Sequence, residues 1–128
     1  MEYRVFERKD LSEVIRLCEV EGWESYVSDP ERTYRALCGS GEVTVVAVED
    51  SAVFGFAQLL TDGAIRAYLA DVLVAASKRG LGIGRRLIRE VFERSNPVYI
   101  DLLSTDNSEA FYEKFPHQRF PGYRLYQK

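Results

Sequence analysis

A strand–glycine loop–helix unit over residues 68–94 constrains the fold of this chain more than any other feature. The apolar run 65–74 predicts a strand, and the loop 75–84 carries three glycines in its last five residues. Glycine lacks a Cβ atom and adopts positive φ angles, so such a loop leaves backbone N–H groups unshielded. Helical spacing then separates an apolar face (Ile83, Leu87, Ile88, Val91, Phe92) from an arginine face (Arg85, Arg86, Arg89, Arg94).

This unit favours a site for a small anion. The first N–H groups of a helix lack partners and carry positive partial charge, which suits phosphate. Charge-assisted hydrogen bonds contribute roughly 1.5–3 kcal/mol each, so three or four would hold a pyrophosphate. The loop is not a Walker A motif, and its glycine spacing does not match the dinucleotide fingerprint. The alternative is an ordinary flexible turn between a strand and a helix.

Composition indicates one globular domain over residues 1–128. The chain is 46% hydrophobic and 29% charged, enough for a core without disulfides or a structural metal. The net charge of −3 argues against a nucleic-acid partner. The basic residues of the 78–94 segment instead suit a small anionic ligand. They are Lys78, Arg79, Arg85, Arg86, Arg89 and Arg94.

Cysteine and histidine usage predicts no metal site and no disulfide. Cys18 and Cys38 lack paired spacing, and His117 is the sole histidine, which we interpret as a surface loop residue. No signal-like N-terminus and no apolar run near 18 residues is present, so we expect no membrane partner and a cytoplasmic location.

The order of apolar runs and helix signals predicts a mixed α/β or α+β layer fold. It includes one parallel crossover, from strand 65–74 through helix 83–94 to strand 98–103. Further strands are predicted at 3–6, 43–48 and 52–60, with one or two terminal strands at 119–127. Further helices are predicted from about residue 11 to Glu21, from Pro30 to Gly39, and at 106–115.

Three segments together resemble the GNAT superfamily of acyl-CoA-dependent N-acetyltransferases. The loop Arg79-Gly80-Leu81-Gly82-Ile83-Gly84 fits that family's R/Q-x-x-G-x-G/A motif. The run 71–74 resembles its splayed fourth strand, and Phe111-Tyr112-Glu113-Lys114 resembles its Phe-Tyr-Glu-Lys helix. The resemblance implies an α+β fold with a central mixed, mostly antiparallel sheet. It also implies a splayed parallel pair made by the fourth and fifth strands, and about four helices.

The resemblance further implies acetyl-CoA as cosubstrate. The amides of residues 80–84 would cradle its pyrophosphate, while Val72 and Val74 would bind the pantetheine arm as an added strand. An amide of this strand would polarise the thioester carbonyl. The implied coenzyme-binding residues are Val72, Leu73, Val74, Arg79, Gly80, Leu81, Gly82, Ile83, Gly84, Arg85, Asn107 and Tyr112.

Three residues are candidates for proton transfer. The phenol of Tyr112 has a reference pKa near 10, close enough to a thiol to protonate the leaving thiolate. Asp71 and Asp101 each interrupt an apolar strand, where a carboxylate faces a wet cleft or is paired. Each is therefore a candidate base, or else a structural carboxylate that pairs an arginine such as Arg66.

The acceptor is expected to be a primary amine on a small molecule or peptide. Trp23, Tyr26 and Tyr68 are candidates for its binding wall, although core packing explains the first two equally well.

The terminal segment 120–128 offers a strand edge for pairing with a second copy. Phe115-Pro116-His117 departs from the Leu-Gly-Phe of the family, so the turn after Tyr112 must be built differently. The rival functions are a non-catalytic coenzyme A-binding sensor and another nucleotide-phosphate binder.

Overall fold

The computed structural model describes residues 1–127, in which five strands form one sheet in the order β1-β2-β3-β4-β5. The strands are β1 Glu2–Val5, β2 Glu42–Glu49, β3 Ala52–Thr61, β4 Arg66–Val74 and β5 Tyr99–Asp101. The helices are α1 Leu11–Glu21, α2 Glu24–Val27, α3 Pro30–Cys38, α4 Ile83–Ser95 and α5 Glu109–Glu113. Strands β1 to β4 pair antiparallel, and β4 pairs with β5 in parallel. The predicted α+β class and the parallel crossover are confirmed.

The sheet is covered on both faces, which explains why its inner strands are almost continuously apolar. On one face, α1 and α3 cover a cluster that includes Val46, Phe56 and Leu73. On the other face, α4 covers a cluster that includes Val45 and Ala57. Adjacent residues of β2 therefore belong to opposite cores, as the two-residue period of a strand requires.

Local chemistry sets the turns between these elements. The β2–β3 hairpin closes over two residues, Asp50 (φ 52°) and Ser51 (φ 66°), as in the turns that match strand twist. Helix α3 begins with Pro30 at its first position, and the side chain of Asp29 accepts a hydrogen bond from the Arg32 N–H at 3.2 Å. Helix α1 ends at Gly22, whose φ is 85°.

A β-bulge in β4 changes which face its side chains meet. Leu69 pairs with Leu59 and Asp71 pairs with Gln58, which leaves Ala70 as the extra residue. Before the bulge, Leu69 packs on the α4 side; beyond it, Val72 and Val74 pack on that side while Leu73 joins the opposite core. Without the extra residue, Asp71 would point toward α4.

The predicted terminal strands at 119–127 are wrong. The structure assigns no strand to this segment. A strand requires a hydrogen-bonding neighbour and a face to bury, and the large side chains here are 70–89% exposed. These side chains are Phe120, Tyr123, Leu125 and Tyr126.

Two elements are shorter than the sequence predicts, and one helix was not predicted. Strand β5 covers only residues 99–101 of the predicted 98–103, and α5 covers only 109–113 of the predicted 106–115. Helix α2 was not predicted, because four residues are too few to show helical periodicity. Among residues 1–127, none of the helices has the length and apolar character needed to cross a membrane.

Candidate functional site

The site begins where β4 and β5 separate. The two strands pair only at Arg66–Tyr99, Ala67–Ile100 and Tyr68–Asp101. Beyond Tyr68, the side of β4 that faces β5 has no neighbouring strand among the described residues. The backbone of residues 69–74 therefore offers an open strand edge, the arrangement to which an extended ligand can add as a strand.

The glycine loop supplies a run of unused backbone donors next to that edge. Gly80 (φ 79°) and Gly82 (φ 84°) both adopt the left-handed conformation that favours glycine. Helix α4 follows, and its first bonded amide is that of Arg86, which donates to the Gly82 carbonyl at 3.0 Å. Within residues 1–127, the N–H groups of residues 80–85 donate no hydrogen bond. Six unused amides at a helix N-terminus are an arrangement that suits an anion.

Gly84 serves a different purpose from the other two glycines. Its φ is not positive, and a Cβ atom there would lie 3.3 Å from Cζ of Phe111. The missing side chain lets α5 pack against the first turn of α4. Sequence reasoning predicted only the backbone role of Gly84, because nothing in the sequence shows which element will approach it.

The loop is less basic than the sequence suggests. Arg79 donates hydrogen bonds to the Val74 carbonyl at 2.9 Å and to Glu21 at 2.7 Å, so it ties the loop to β4 and α1. Arg85 has no carboxylate partner within residues 1–127, and its guanidinium lies 4.6 Å from the ring centre of Phe115. The remaining pairs are Lys78–Glu49, Arg86–Glu90 and Arg94–Glu90.

Asp71 follows the bulge and is half-buried. The phenol of Tyr26 on α2 donates a hydrogen bond to its Oδ2 atom. Burial raises the pKa of the Asp71 carboxyl above its ordinary value, while the Tyr26 hydrogen bond acts in the opposite direction. The structure thus joins a predicted base to a residue predicted to line the acceptor site.

Two further groups lie within electrostatic reach of Asp71. Burial raises the pKa of the Tyr112 phenol, and the charge of Asp71 raises it further. Burial and, to a smaller extent, the charge of Asp71 raise the pKa of the Cys18 thiol to about 12. Tyr112 is therefore a protonated donor at neutral pH, and Cys18 is a neutral thiol. Sequence reasoning left Cys18 out of the site because its helical spacing marks it only as a core residue.

Asp101 has a different environment. Its carboxylate is 46% exposed and pairs with Arg66 at 2.7 Å, and Arg66 also donates to the Tyr99 hydroxyl at 2.7 Å. This is the structural pairing considered as the alternative to a base. Only Asp71 of the two carboxylates perturbs the pKa of Tyr112.

The remaining three candidates lie in separate parts of the chain. The half-buried ring of Trp23 packs edge-on against Phe56, with ring centres 6.4 Å apart, so part of it belongs to the core. Tyr68 is half-buried on β4 at the last pair with β5. Asn107 is exposed in the turn before α5.

Comparison with known proteins agrees with this geometry. A sequence model described as the acetyltransferase (GNAT) domain matches residues 10–120. An acetyltransferase from Trypanosoma brucei has 25% identity, covers 99% of both chains and superposes with a TM-score of 0.78. Two further structures show the fold alone. A GNAT-family acetyltransferase from Streptococcus pneumoniae has 23% identity, TM-score 0.79 and coverage of 99% and 98% of the two chains. A transcriptional regulator from Bacillus halodurans has 21% identity, TM-score 0.77 and coverage of 98% and 99%.

A search of the curated proteins found no match. The family match nevertheless covers most of the chain, and the sheet with its splayed parallel pair is that of the family. The chain belongs to the GNAT acetyltransferase family.

Proposed function

We propose that this protein transfers an acetyl group from acetyl-CoA to a primary amine by direct nucleophilic attack. The observation that carries the proposal is the run of amides at residues 80–85, which donate no hydrogen bond within residues 1–127, beside the edge of β4 that has no neighbouring strand there. A pyrophosphate and an extended pantetheine arm require these two features side by side. The donor set fits the coenzyme without a metal ion.

The coenzyme-binding residues divide into two groups. The amides of residues 80–85 would receive the pyrophosphate, and the edge at Val72 and Val74 would receive the amides of the pantetheine arm. The Arg79 guanidinium donates a hydrogen bond to the Val74 carbonyl at 2.9 Å. We therefore expect the guanidinium to leave this carbonyl and turn toward the coenzyme when the pantetheine arm binds. The bound thioester would supply an activated acyl carbon.

Asp71 and Tyr112 would handle the protons. The amine nitrogen forms a bond to the acyl carbon, and the carbon–sulfur bond breaks. Asp71 would accept the proton that the nitrogen loses, because burial makes its carboxylate more basic than an exposed one. Tyr112 would donate a proton to the departing thiolate, since its phenol stays protonated at neutral pH.

A thiol-release assay over a panel of primary amines tests this proposal. We expect Asp71→Asn and Tyr112→Phe each to lower kcat/KM by about 10²-fold or more, the usual contribution of a positioned acid or base. Binding of acetyl-CoA, measured by isothermal titration, should change little in either variant.

The same assay separates the alternatives. A loss of about 10²-fold in Asp101→Asn, with activity retained in Asp71→Asn, would assign the base to Asp101. Tight acetyl-CoA binding without thiol release on any amine would favour a non-catalytic coenzyme A-binding module. Competition by ATP or NAD for the loop would favour another nucleotide-phosphate binder.

A further inference from the structure

The contact between Tyr26 and Asp71 joins two parts of the chain that are 45 residues apart. Tyr26 lies on α2, between the two helices that cover one face of the sheet, and Asp71 lies on β4 next to the bulge. Because the bulge turns Asp71 toward α1 and α2, the contact depends on a specific irregularity of β4 rather than on general packing.

Tyr26 is held firmly on its own side of this contact. Its ring centre lies 5.7 Å from that of Trp23, which in turn packs against Phe56. Its N–H donates to the Trp23 carbonyl at 3.0 Å, and its carbonyl accepts from the Thr33 hydroxyl at 2.7 Å. A side chain anchored at the ring and at both backbone groups directs its hydroxyl to a fixed point.

The two oxygens of Asp71 are used differently. Oδ2 accepts the Tyr26 hydrogen bond. Oδ1 accepts no hydrogen bond from residues 1–127, and it is not buried. Oδ1 therefore reaches solvent. The titratable groups whose pKa the charge of Asp71 raises are Tyr26 from α2, Cys18 from α1 and Tyr112 from α5, all of them neutral. No Lys or Arg in the described residues bonds to it.

We propose that Tyr26 is a positioning residue for Asp71: its hydroxyl holds Oδ2 and leaves Oδ1 free to receive the proton of the acceptor amine. This role rests on the proposed function, and it replaces the expected role of Tyr26 as part of the acceptor wall. Among residues 1–127, the hydroxyl is the only donor to the Asp71 carboxylate, so losing it would both release the carboxylate and favour its protonated form.

The test is Tyr26→Phe, which keeps the ring against Trp23 and removes only the hydroxyl. We expect the Asp71 titration, followed by carboxyl-carbon NMR, to move to higher pH in this variant. We also expect kcat to fall about 10-fold or more, part of the contribution of a positioned base, with KM for acetyl-CoA unchanged. Tyr34→Phe is the matched control, because it removes a tyrosine hydroxyl next to the same core cluster but away from Asp71.

A double variant separates positioning from acceptor binding. In an Asp71→Asn background, Tyr26→Phe should cost no further kcat if it acts through Asp71. A raised KM for the amine, an unmoved Asp71 titration and an additive loss would overturn the proposal. Absence of thiol release in the unmodified protein would defeat the proposed function instead, and the NMR titration would still decide the role of Tyr26.

Discussion

The backbone of the glycine loop can be tested at one amide. Arg85 is the third residue of α4, and its N–H donates no hydrogen bond within residues 1–127. Proline is tolerated in the first turn of a helix, and Gly84 before it has no Cβ to clash with the proline ring. Arg85→Pro therefore removes one N–H with little cost to the fold. Arg85→Ala is the matched control, because it removes the same guanidinium and keeps the N–H.

The difference between these two variants gives the contribution of the amide. A hydrogen bond to a charged group contributes about 1.5–3 kcal/mol, which corresponds to about 10- to 150-fold in Kd. We expect isothermal titration with coenzyme A to show Arg85→Pro weaker than Arg85→Ala by this factor, with similar melting temperatures. Equal affinities of two folded variants would refute the assignment of the loop amides to the pyrophosphate.

Three further predictions concern stability. Gly82→Ala should lower the free energy of unfolding in urea by about 1–2 kcal/mol, because φ is +84° there and a Cβ atom meets nothing within 4 Å, so the penalty is conformational. Gly84→Ala lacks this backbone penalty, and any cost should come from the 3.3 Å approach of the new Cβ atom to Phe111. Leu87→Ala should lower the free energy of unfolding by about 2–5 kcal/mol, since this side chain of α4 is fully buried against the sheet. The pKa of Asp71 is raised, so its contribution to stability falls as pH rises from the ordinary value of 3.8 through the raised value. Asp71→Asn should therefore be more stable than the unmodified protein at pH 7 but not near pH 3, and an equal difference at both would contradict the burial argument.

The proposed coenzyme side of the site could be predicted from the sequence because its determinants are local. The glycines, the apolar helix face and the strand before them lie within one stretch of chain, and each follows a short-range rule. The structure confirms the strand, the helix and the positive φ at Gly80 and Gly82, whereas Phe92 of the predicted apolar face is 37% exposed. The basic character was also overestimated, since pairs such as Arg79–Glu21 depend on contacts across the fold.

The proposed acceptor side was harder to predict from the sequence because it depends on contacts between distant parts of the chain. Nothing in the sequence shows that a bulge at Ala70 turns Asp71 toward Tyr26, or that Cys18 lies beside them. The prediction of strands at 119–127 was wrong for a related reason. Its aromatic residues have strand propensity, but a strand forms only where the fold supplies a partner edge.

Acetyl transfer itself is tested most directly by mass spectrometry of the acceptor amine. Purified protein incubated with acetyl-CoA and each amine of a panel should yield an acetylated amine, with one free coenzyme A thiol released per product molecule. Transfer to at least one amine, lost in Asp71→Asn and Tyr112→Phe while coenzyme A still binds, is the result that we predict. Coenzyme A binding with no acetylated product from any amine, or full activity in both variants, would contradict the proposed mechanism.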